Sequence, residues 1–466
     1  MWEIELQFKS ETGLSRQIFL WFRERILTGR IPQREAMPST RELARELGVS
    51  RNTVCEAYEM LMTEGFIVSR QGAPTRVAEG LDIWQGRRES ASATAQPDKA
   101  GPAIRWDFKT GQPDLTLFPW QLWSQCLREA SAGLSIRQLG YNGPKGYEPL
   151  CEEIARWLLR SRGMDTDPGD IFITAGATQA LHLLVDLLYE DGRAFALESP
   201  SHPGVHTVIA DRGYPLHRMP VDAQGADIGS LEGKAVSAVY VTPSHQFPLG
   251  GILPAGRRAA LIRLAQANGF YIIEDDYDSE FRYSGSPVSP IYSMDSSHTV
   301  YVGTFSKTLF PALRLGFAVL PKPLHGKWRH LRNYMDVQNP IAEQVALAEF
   351  LRGRKMDRHV QRMRRVYGDR RKALLESINN IFGDSVRPWG DASGLHVALQ
   401  FPGAEFGDRF MHDGREAGIR AYPLTHYCPA PDIHKDKLLL GYGHLSREQI
   451  QEGIRALRRL MENRTP

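Results

Sequence analysis

Three side chains in the second half of the chain have the types and the spacing for covalent amine chemistry. Lys307 ends the short polar stretch GTFSK, which lies between two apolar runs. Asp275 and Tyr277 follow another apolar run, 32 and 30 residues before the lysine. A lysine at the end of a buried strand must be solvated, paired or used covalently, because removing an ammonium group from water is costly. The rest of the chain must decide between these three possibilities for Lys307.

These groups match the requirements of pyridoxal 5'-phosphate (PLP). This cofactor needs an amine for a Schiff base, a carboxylate that keeps its pyridine nitrogen protonated and a hydroxyl near its phenolic oxygen. Lys307, Asp275 and Tyr277 supply one group each. The phosphate needs hydrogen-bond donors, which we expect from one cation, two hydroxyls and a strand-to-helix turn: Arg314, Thr304, Ser306, Gly176, Ala177 and Thr178.

Short apolar runs of β-forming residues end at or near these positions. They cover residues 171–174, 194–198, 238–242, 271–275, 300–305 and 316–320. Most of them are separated by segments with helical periodicity, and alternating strands and helices favour a largely parallel sheet with helices on both faces. The sequence therefore predicts an α/β fold whose strand ends carry the chemistry.

The order of these motifs resembles the fold type I aminotransferases over residues 105 to 460. The resemblance implies that Tyr141, in YNGPKG, reaches the phosphate of a neighbouring subunit, which would make the protein a homodimer. It also implies that His202, in ESPSHPG, stacks on the pyridine ring. In TPSHQFPLGG, Phe247 stands where the aminotransferases carry an asparagine, so the missing hydrogen bond could come from His245 or Gln246.

The arginines that hold a substrate carboxylate in aminotransferases have no counterpart at the expected places. The carboxy-terminal strand reads KLLLGYGHLS, with Leu439 at or near one arginine position, and the other falls near Gly204. Arg282 and Arg420 remain as alternative partners for a carboxylate. The ligand is therefore expected to be an amine, an amino acid or the cofactor itself.

The first 80 residues predict a winged helix-turn-helix. Ser39 and Glu42 have the spacing of a capping box, Ser50 begins a second helix, and two short β-prone runs surround Gly72. Side chains in the first turn of the second helix can reach base edges, and groups near the preceding helix can bind phosphates. The predicted DNA-binding residues are Ser39, Arg41, Arg51, Asn52, Thr53 and Gly72.

The segment from Pro38 to Gly72 resembles the GntR family of bacterial regulators. One departure lies in the wing, where the family usually has a second glycine and this chain continues from Gly72 as Ala73, Pro74 and Thr75. Residues 1 to 80 contain 11 Lys and Arg against 11 Asp and Glu. DNA binding therefore depends on where the charges stand and not on net charge.

Length and composition predict three segments. We expect a winged helix-turn-helix at residues 1–78, a flexible linker rich in Ser, Ala, Gln, Gly and Pro at 79–104, and an aminotransferase-like domain at 105–466. The four cysteines form no CxxC pair or metal-ligand cluster, so no metal site is expected. No apolar run is long enough to cross a membrane, and we expect a cytoplasmic protein.

A GntR-type winged helix, a linker and an aminotransferase-like domain together resemble the MocR-type regulators. The resemblance implies a PLP-dependent transcriptional regulator that binds double-stranded operator DNA and senses a small molecule. It also implies no steady enzymatic turnover, with aldimine exchange or half a transamination at most. An active aminotransferase that also binds DNA is the alternative. A scaffold that binds no DNA would require the pattern from Ser39 to Gly72 to be accidental.

Overall fold

The chain forms two compact units, residues 1–99 and residues 100–466. The structure is a computed structural model that describes residues 4, 7, 12–70, 72–81, 103–390, 393–428 and 434–463. Most of the predicted linker therefore lies outside the described residues. Of the helices in the described part of the chain, none combines the length and the apolar character that crossing a membrane requires.

The first unit is a winged helix-turn-helix, as predicted. Its elements are α1 (Leu14–Leu27), α2 (Thr40–Leu47), α3 (Arg51–Thr63) and an antiparallel hairpin of β1 (Ile67–Val68) and β2 (Arg76–Val77). Phe22, Leu43 and Val54 are fully buried between the three helices. The capping box at Ser39 is present, with its hydroxyl accepting from Glu42 N at 3.2 Å.

The second unit contains one large sheet and one small sheet. Its strands in chain order are β3 (Trp106–Asp107), β4 (Ile171–Thr174), β5 (Ala194–Ser199), β6 (Leu216–Asp222), β7 (Gly225–Ala226), β8 (Val236–Val241), β9 (Tyr271–Asp276), β10 (Thr299–Thr304), β11 (Gly316–Val319), β12 (Arg387–Trp389), β13 (His396–Gln400), β14 (Ile419–Arg420), β15 (Tyr422–Pro423) and β16 (Lys437–Gly441). The large sheet has the order β4-β11-β10-β9-β8-β5-β6-β7. The small sheet has the order β12-β13-β16-β15, and β14 pairs with β3.

Helices cover both faces of the large sheet. Those of the second unit are α4 (Trp120–Gly133), α5 (Glu148–Arg162), α6 (Ala177–Leu188), α7 (Pro203–Ala210), α8 (Ala255–Asn268), α9 (His325–Met335), α10 (Ile341–Arg352), α11 (Lys355–Phe382), α12 (Asp408–Glu416) and α13 (Arg447–Glu462). Ile272 and Ile273, which are neighbours in β9, belong to different apolar cores. Successive side chains of a strand point to opposite faces, so this sheet is buried on both sides.

All six predicted strands are present, and their directions place the reacting lysine. Strands β10, β9, β8, β5 and β6 pair in parallel, whereas β11 runs antiparallel to both β10 and β4. The connection from β10 to β11 therefore leaves and re-enters the sheet at the carboxyl end of β10. Lys307 lies in this connection. Gly303 is required in β10, because a Cβ there would lie 2.3 Å from the ring of Phe317 on β11.

Candidate cofactor cavity and DNA-reading helix

A cavity of about 400 Å³ lies at the carboxyl ends of β8, β9 and β10. Nine of the eleven residues predicted for the cofactor line it: Asp275, Tyr277, Thr304, Ser306, Lys307, Arg314, Ala177, Thr178 and His202. The carboxyl ends of parallel strands are where α/β sheets usually bind ligands. The large sheet thus brings together residues that are up to 137 positions apart, from Ala177 to Arg314.

Lys307 presents a half-buried amine whose pKa is lowered. Its Nζ donates to the carbonyl oxygen of Gly111 at 2.7 Å. Burial lowers the pKa of Lys307 below its ordinary value, and Lys109 and Arg314 lower it further against the opposing effect of Asp278 and Asp275. A lysine with a lowered pKa is the nucleophile that attacks carbonyl compounds. Gly111 has a φ of +63°, and a Cβ there would lie 2.9 Å from Nζ.

Asp275 is a buried carboxylate with one oxygen left without a partner. Its Oδ2 accepts from the hydroxyl of Tyr240 at 2.7 Å, while its Oδ1 has no hydrogen-bond partner. Burial raises the pKa of Asp275 to about 6, although the bond from Tyr240 acts in the opposite direction. A buried acceptor without a donor is unfavourable. The protonated pyridine nitrogen of PLP would supply the missing donor, so Asp275 fits this cofactor.

The opposite end of the cavity fits a phosphate. Arg314 has a φ of +50° and donates to the carbonyl oxygen of Ala175 at 2.7 Å. Gly176 caps the amino terminus of α6 with a φ of +82°, and a Cβ there would lie 3.1 Å from Nη2 of Arg314. The first turn of α6 therefore presents free amide donors beside a guanidinium group, which is a typical anion site. The hydroxyls of Thr304 and Ser306, which also line the cavity, are hydrogen-bonded to each other at 3.0 Å.

Tyr277 rests against a buried pair formed by His245 and Asp278. The hydroxyl of Tyr277 donates to the carbonyl oxygen of His245 at 3.0 Å, and His245 Nδ1 lies 2.9 Å from Asp278 Oδ1. Gly394 makes room for this pair, because a Cβ there would lie 2.1 Å from the ring of His245. His245 thus supports the hydroxyl expected near the phenolic oxygen.

Gln246, the other candidate to replace the asparagine, serves the backbone instead. Its Nε2 donates to the carbonyl oxygens of Phe247 at 2.6 Å and Pro200 at 3.0 Å. Neither His245 nor Gln246 lines the cavity, whereas Phe247 does. The position that holds an asparagine in aminotransferases is therefore an apolar wall here.

The two other residues predicted for the cofactor lie outside the cavity lining. Gly176 adjoins the cavity, because it packs closely against the side chain of Arg314. Tyr141 does not line the cavity, and its side chain is 89% exposed. A role for Tyr141 in a neighbouring subunit stays a prediction. His202 does line the cavity, with its ring 5.5 Å from that of Phe247, and its Nδ1 accepts from Gly204 N at 3.0 Å.

Neither alternative carboxylate partner reaches the cavity. Arg420 donates to Asp107 at 2.9 Å, and Arg282 lines a separate cavity together with Asp357. Leu439 is fully buried beside Phe247 in an apolar cluster. Among the described residues that line the main cavity, Lys307 and Arg314 are the only lysine or arginine side chains.

Sequence reasoning missed four aromatic residues and one short segment of the cavity. The missed lining residues include Tyr240, Phe247 as a wall, His396, Tyr427, Thr110 and Gly111. The ring of Phe247 lies 5.2 Å from Tyr427, 5.4 Å from His396 and 6.0 Å from Tyr277. His396 and Tyr427 belong to the part of the chain around the small sheet, whose pairing no short motif announces. Tyr240 differs from these residues, because it lies near the end of a predicted apolar run, where a strand-end argument could have placed it at the cavity.

The predicted DNA-reading residues lie on the helix-turn-helix and are mostly exposed. Arg51 and Asn52 are exposed in the first turn of α3, and Arg51 Nε lies 3.4 Å from the hydroxyl of Thr40. Thr53 is half-buried, with its hydroxyl 2.8 Å from that of Ser50. Arg41 is exposed at the start of α2, and Gly72 has a φ of +82° in the wing turn.

Ser39 has a more limited role than expected. Its hydroxyl caps α2, and its backbone N–H donates to the carboxylate of Glu42 at 3.2 Å. That amide is therefore not free for a phosphate. The hydroxyl proton remains available as a donor.

Comparisons with known proteins agree with this architecture. Residues 14–77 match the family described as bacterial regulatory proteins, gntR family, and residues 108–412 match aminotransferase class I and II. The uncharacterized HTH-type transcriptional regulator YhdI of Bacillus subtilis is 34% identical over 97% of each chain. The HTH-type pyridoxine biosynthesis transcriptional regulator PdxR of Corynebacterium glutamicum is 30% identical over 91% of each chain.

A third relative and a solved structure complete the comparison. The probable rhizopine catabolism regulatory protein MocR of Rhizobium meliloti is 29% identical over 96% of this chain and 94% of its own. The crystal structure of Pyrococcus horikoshii kynurenine aminotransferase has a TM-score of 0.72 and 26% identity, and it covers 79% of this chain and 92% of its own. The fold and the site thus define a GntR-type transcriptional regulator with an aminotransferase-like domain. The chain belongs to the MocR-type regulators of the GntR family.

Proposed function

We propose that this protein is a PLP-dependent transcriptional regulator that binds double-stranded operator DNA and senses a small amine, an amino acid or PLP itself. The observation that carries the proposal is the buried Oδ1 of Asp275, which lacks a donor in a residue that lines the same cavity as Lys307. Burying a carboxylate and a lysine amine in one cavity costs folding free energy unless a ligand pairs with both groups.

Each end of the cavity would hold one part of the cofactor. Arg314, Ser306 and the first turn of α6 would bind the phosphate. Asp275 would accept a hydrogen bond from the protonated pyridine nitrogen, and Tyr277 would donate to the phenolic oxygen. Lys307 would form the covalent link. When bound, PLP supplies an electrophilic carbon for amines and a ring that takes up electron density.

Sensing is favoured over steady catalysis because, among the described residues that line the cavity, Arg314 carries the only guanidinium group and is assigned to the phosphate, which leaves none for a substrate carboxylate. Aminotransferases rely on such contacts to orient the substrate for proton transfer. In this cavity Lys307 is the group that can move a proton, and Phe247 forms an apolar wall that packs in one cluster with the buried Leu439. An incoming amine would displace Lys307 without being held for turnover.

An active aminotransferase that also binds DNA is the second candidate. The observation that favours it is the complete set of Lys307, Asp275 and Tyr277 around one cavity. Incubation with amines and a keto-acid acceptor distinguishes the two functions. Turnover at roughly 1 per second or faster, as in typical enzymes, would support the enzyme, and a change in operator affinity without turnover would support the regulator.

The working unit would be a homodimer in the bacterial cytoplasm. The exposed ring of Tyr141 is available to a second subunit, as the aminotransferase resemblance implies. Two winged helices would then read two half-sites of one operator. Sedimentation of the protein with and without operator DNA tests this arrangement, and a monomer that binds one half-site would contradict it.

A further inference from the structure

One short stretch of the second unit carries more than the whole net positive charge of the chain. Residues 352–372 contain ten Lys and Arg against two Asp. The full chain has 57 Lys and Arg against 54 Asp and Glu, so the remaining residues have 47 against 52 and are net acidic. The stretch ends within α11 and begins just before it. A local concentration of one sign of charge attracts partners of the opposite sign.

Four exposed arginines follow one another along one face of α11. Successive members are four, four and three residues apart, a spacing that keeps side chains on one side of a helix. At 1.5 Å per residue, they span about 16 Å. We call this set the arginine row; its members are Arg354, Arg358, Arg362 and Arg365.

The fold does not neutralise the arginine row. Among the described residues, no carboxylate forms an ion pair with any of its four side chains, whereas Arg370 in the same stretch pairs with Asp114 at 2.6 Å. Asp357, the acidic residue nearest to the row in sequence, lies 3.4 Å from Arg160 instead. The row therefore presents four uncompensated cations to solvent.

The arginine row lacks the apolar companions that a protein or a membrane would need. Of the described residues after Met335, none is an exposed large apolar side chain. Protein interfaces have apolar or aromatic anchors at their centre, and membrane-surface helices bury an apolar face. A phosphate backbone needs only cations, which guanidinium groups supply in a geometry that suits phosphate oxygens.

Duplex DNA is the phosphate polymer that the rest of the chain implicates. Each strand of a duplex presents one phosphate per about 3.4 Å of its axis, so a row of this length faces roughly five of them. The winged-helix part, residues 1–80, has 11 cations against 11 anions. Affinity for DNA depends strongly on the number of neutralised phosphates. Cations outside the winged helix would supply what its balanced charge does not.

We infer that the arginine row is a second DNA-contacting surface, which binds phosphates of the same duplex that the winged helix reads. This inference rests on the proposed function, because the winged helix must first bring the duplex to the protein. The composition of the predicted linker is that of a flexible chain, which permits both units to contact one duplex. Phosphate contacts carry no sequence information, so the row adds affinity and not specificity.

Removing three charges from the row tests the inference on the full-length, PLP-loaded protein. The variant combines Arg358→Gln, Arg362→Gln and Arg365→Gln, and it leaves Arg354, which caps α11 with a φ of +54°. Affinity for an operator duplex and for a mixed-sequence duplex of equal length is titrated at several KCl concentrations. We expect both affinities to fall roughly tenfold or more, and the dependence of log affinity on log salt to become shallower by about 0.9 for each lost phosphate contact.

The matched control removes three charges from another helix of the same unit. It combines Arg447→Gln, Arg455→Gln and Arg459→Gln on α13, where all three side chains are exposed. We expect parent-like affinity and salt dependence. Equal losses in the control and in the row variant would overturn the inference, because net charge alone would then explain both.

Lysine at positions 358, 362 and 365 separates charge from folding. This variant keeps the three cations and should retain most of the salt dependence of the parent protein. The PLP absorbance of every variant should match that of the parent protein. A salt dependence as shallow with lysine as with glutamine, or a parent-like salt dependence in the glutamine variant, would overturn the inference. So would loss of binding to phosphatidylserine vesicles in the glutamine variant while its DNA binding stays parent-like.

The same titrations separate this inference from the proposed function. If the glutamine variant binds the operator as the parent protein does and its affinity still responds to PLP, the regulator stands and the inference is wrong. If the row contributes as expected but no cavity ligand changes operator affinity, sensing is wrong and the inference stands. If the parent protein binds neither duplex, both are wrong.

Discussion

Two adjacent aspartates at the end of β9 have opposite electrostatic surroundings. Asp276 is paired with the buried Arg162 at 2.7 Å and accepts from the hydroxyl of Tyr301 at 2.6 Å. Asp275 accepts one hydrogen bond, from the hydroxyl of Tyr240, and its Oδ1 has no hydrogen-bond partner. The fold therefore neutralises one carboxylate internally and leaves the other for a ligand. This difference predicts opposite effects for two otherwise identical substitutions.

Asp275→Asn should stabilise the cofactor-free protein at neutral and alkaline pH. The pKa of Asp275 in the fold is about 6, above its ordinary value of 3.8. The folded state therefore favours the protonated form, and this contribution is complete below pH 4 and lost as the pH rises through 6. The loss amounts to about 3 kcal/mol by pH 8. Unfolding in denaturant at pH 4 and pH 8 should show an advantage for the variant only at the higher pH.

The control for that experiment is Asp276→Asn. It leaves Arg162 buried without its partner and should destabilise the protein at pH 8 by several kcal/mol. Equal unfolding free energies for Asp275→Asn and the parent protein at pH 8 would contradict a buried, unpaired Asp275. With PLP bound, Asp275→Asn should lose its advantage, because the charged carboxylate then has its partner.

Lys307→Ala should remove the visible absorbance that PLP gives to the protein. Lys307 is the lysine that lines the cavity, and its lowered pKa favours covalent attachment. Absorbance spectra before and after borohydride treatment measure the covalent link. Lys109→Ala is the matched control, since Lys109 is exposed and affects Lys307 only through its charge. A parent-like spectrum in Lys307→Ala would refute the assignment.

At the scale of elements, α3 carries Arg51, Asn52 and Thr53, which we predict to read DNA. Arg51→Ala should weaken operator binding by about 1 to 3 kcal/mol, because losing a direct base contact has this effect. Arg45→Ala removes the same charge from the last turn of α2 and should change affinity much less. Mobility-shift titrations at one fixed salt concentration compare the two. Equal losses in both variants would mean that Arg51 acts only through charge.

The elements also explain which parts of the site could be predicted from sequence. Asp275 lies at the end of β9, Lys307 just after β10 and Arg314 just before β11, so strand order and strand ends locate them together. His396 and Tyr427 come from around the small sheet, whose strands pair across long intervals of the chain. No local pattern specifies that packing. Strand β6, which is only partly buried, and strand β7, which has two residues, Gly225 and Ala226, are not predicted from the sequence.

At the scale of the whole molecule, the predicted linker at 79–104 should set how far the winged helix can reach. Its composition is that of a flexible chain, for which length controls effective concentration. Removing about half of it should weaken binding to the native operator and leave PLP absorbance intact. Cofactor titrations and operator titrations on the same preparation measure both. Parallel loss of the two functions would indicate that this segment belongs to the folded large domain.

The central claim is that the ligand bound in the cavity controls DNA binding. Such control requires that the ligand bind two conformations of the protein with different affinities. The most direct measurement is operator affinity of the parent protein and of Lys307→Ala, each without PLP, with PLP, and with PLP plus each of a set of small primary amines and amino acids. We predict that operator affinity of the parent protein changes at least severalfold between these states and that Lys307→Ala does not respond to the amines. Identical operator affinity in all three states of the parent protein would contradict the account.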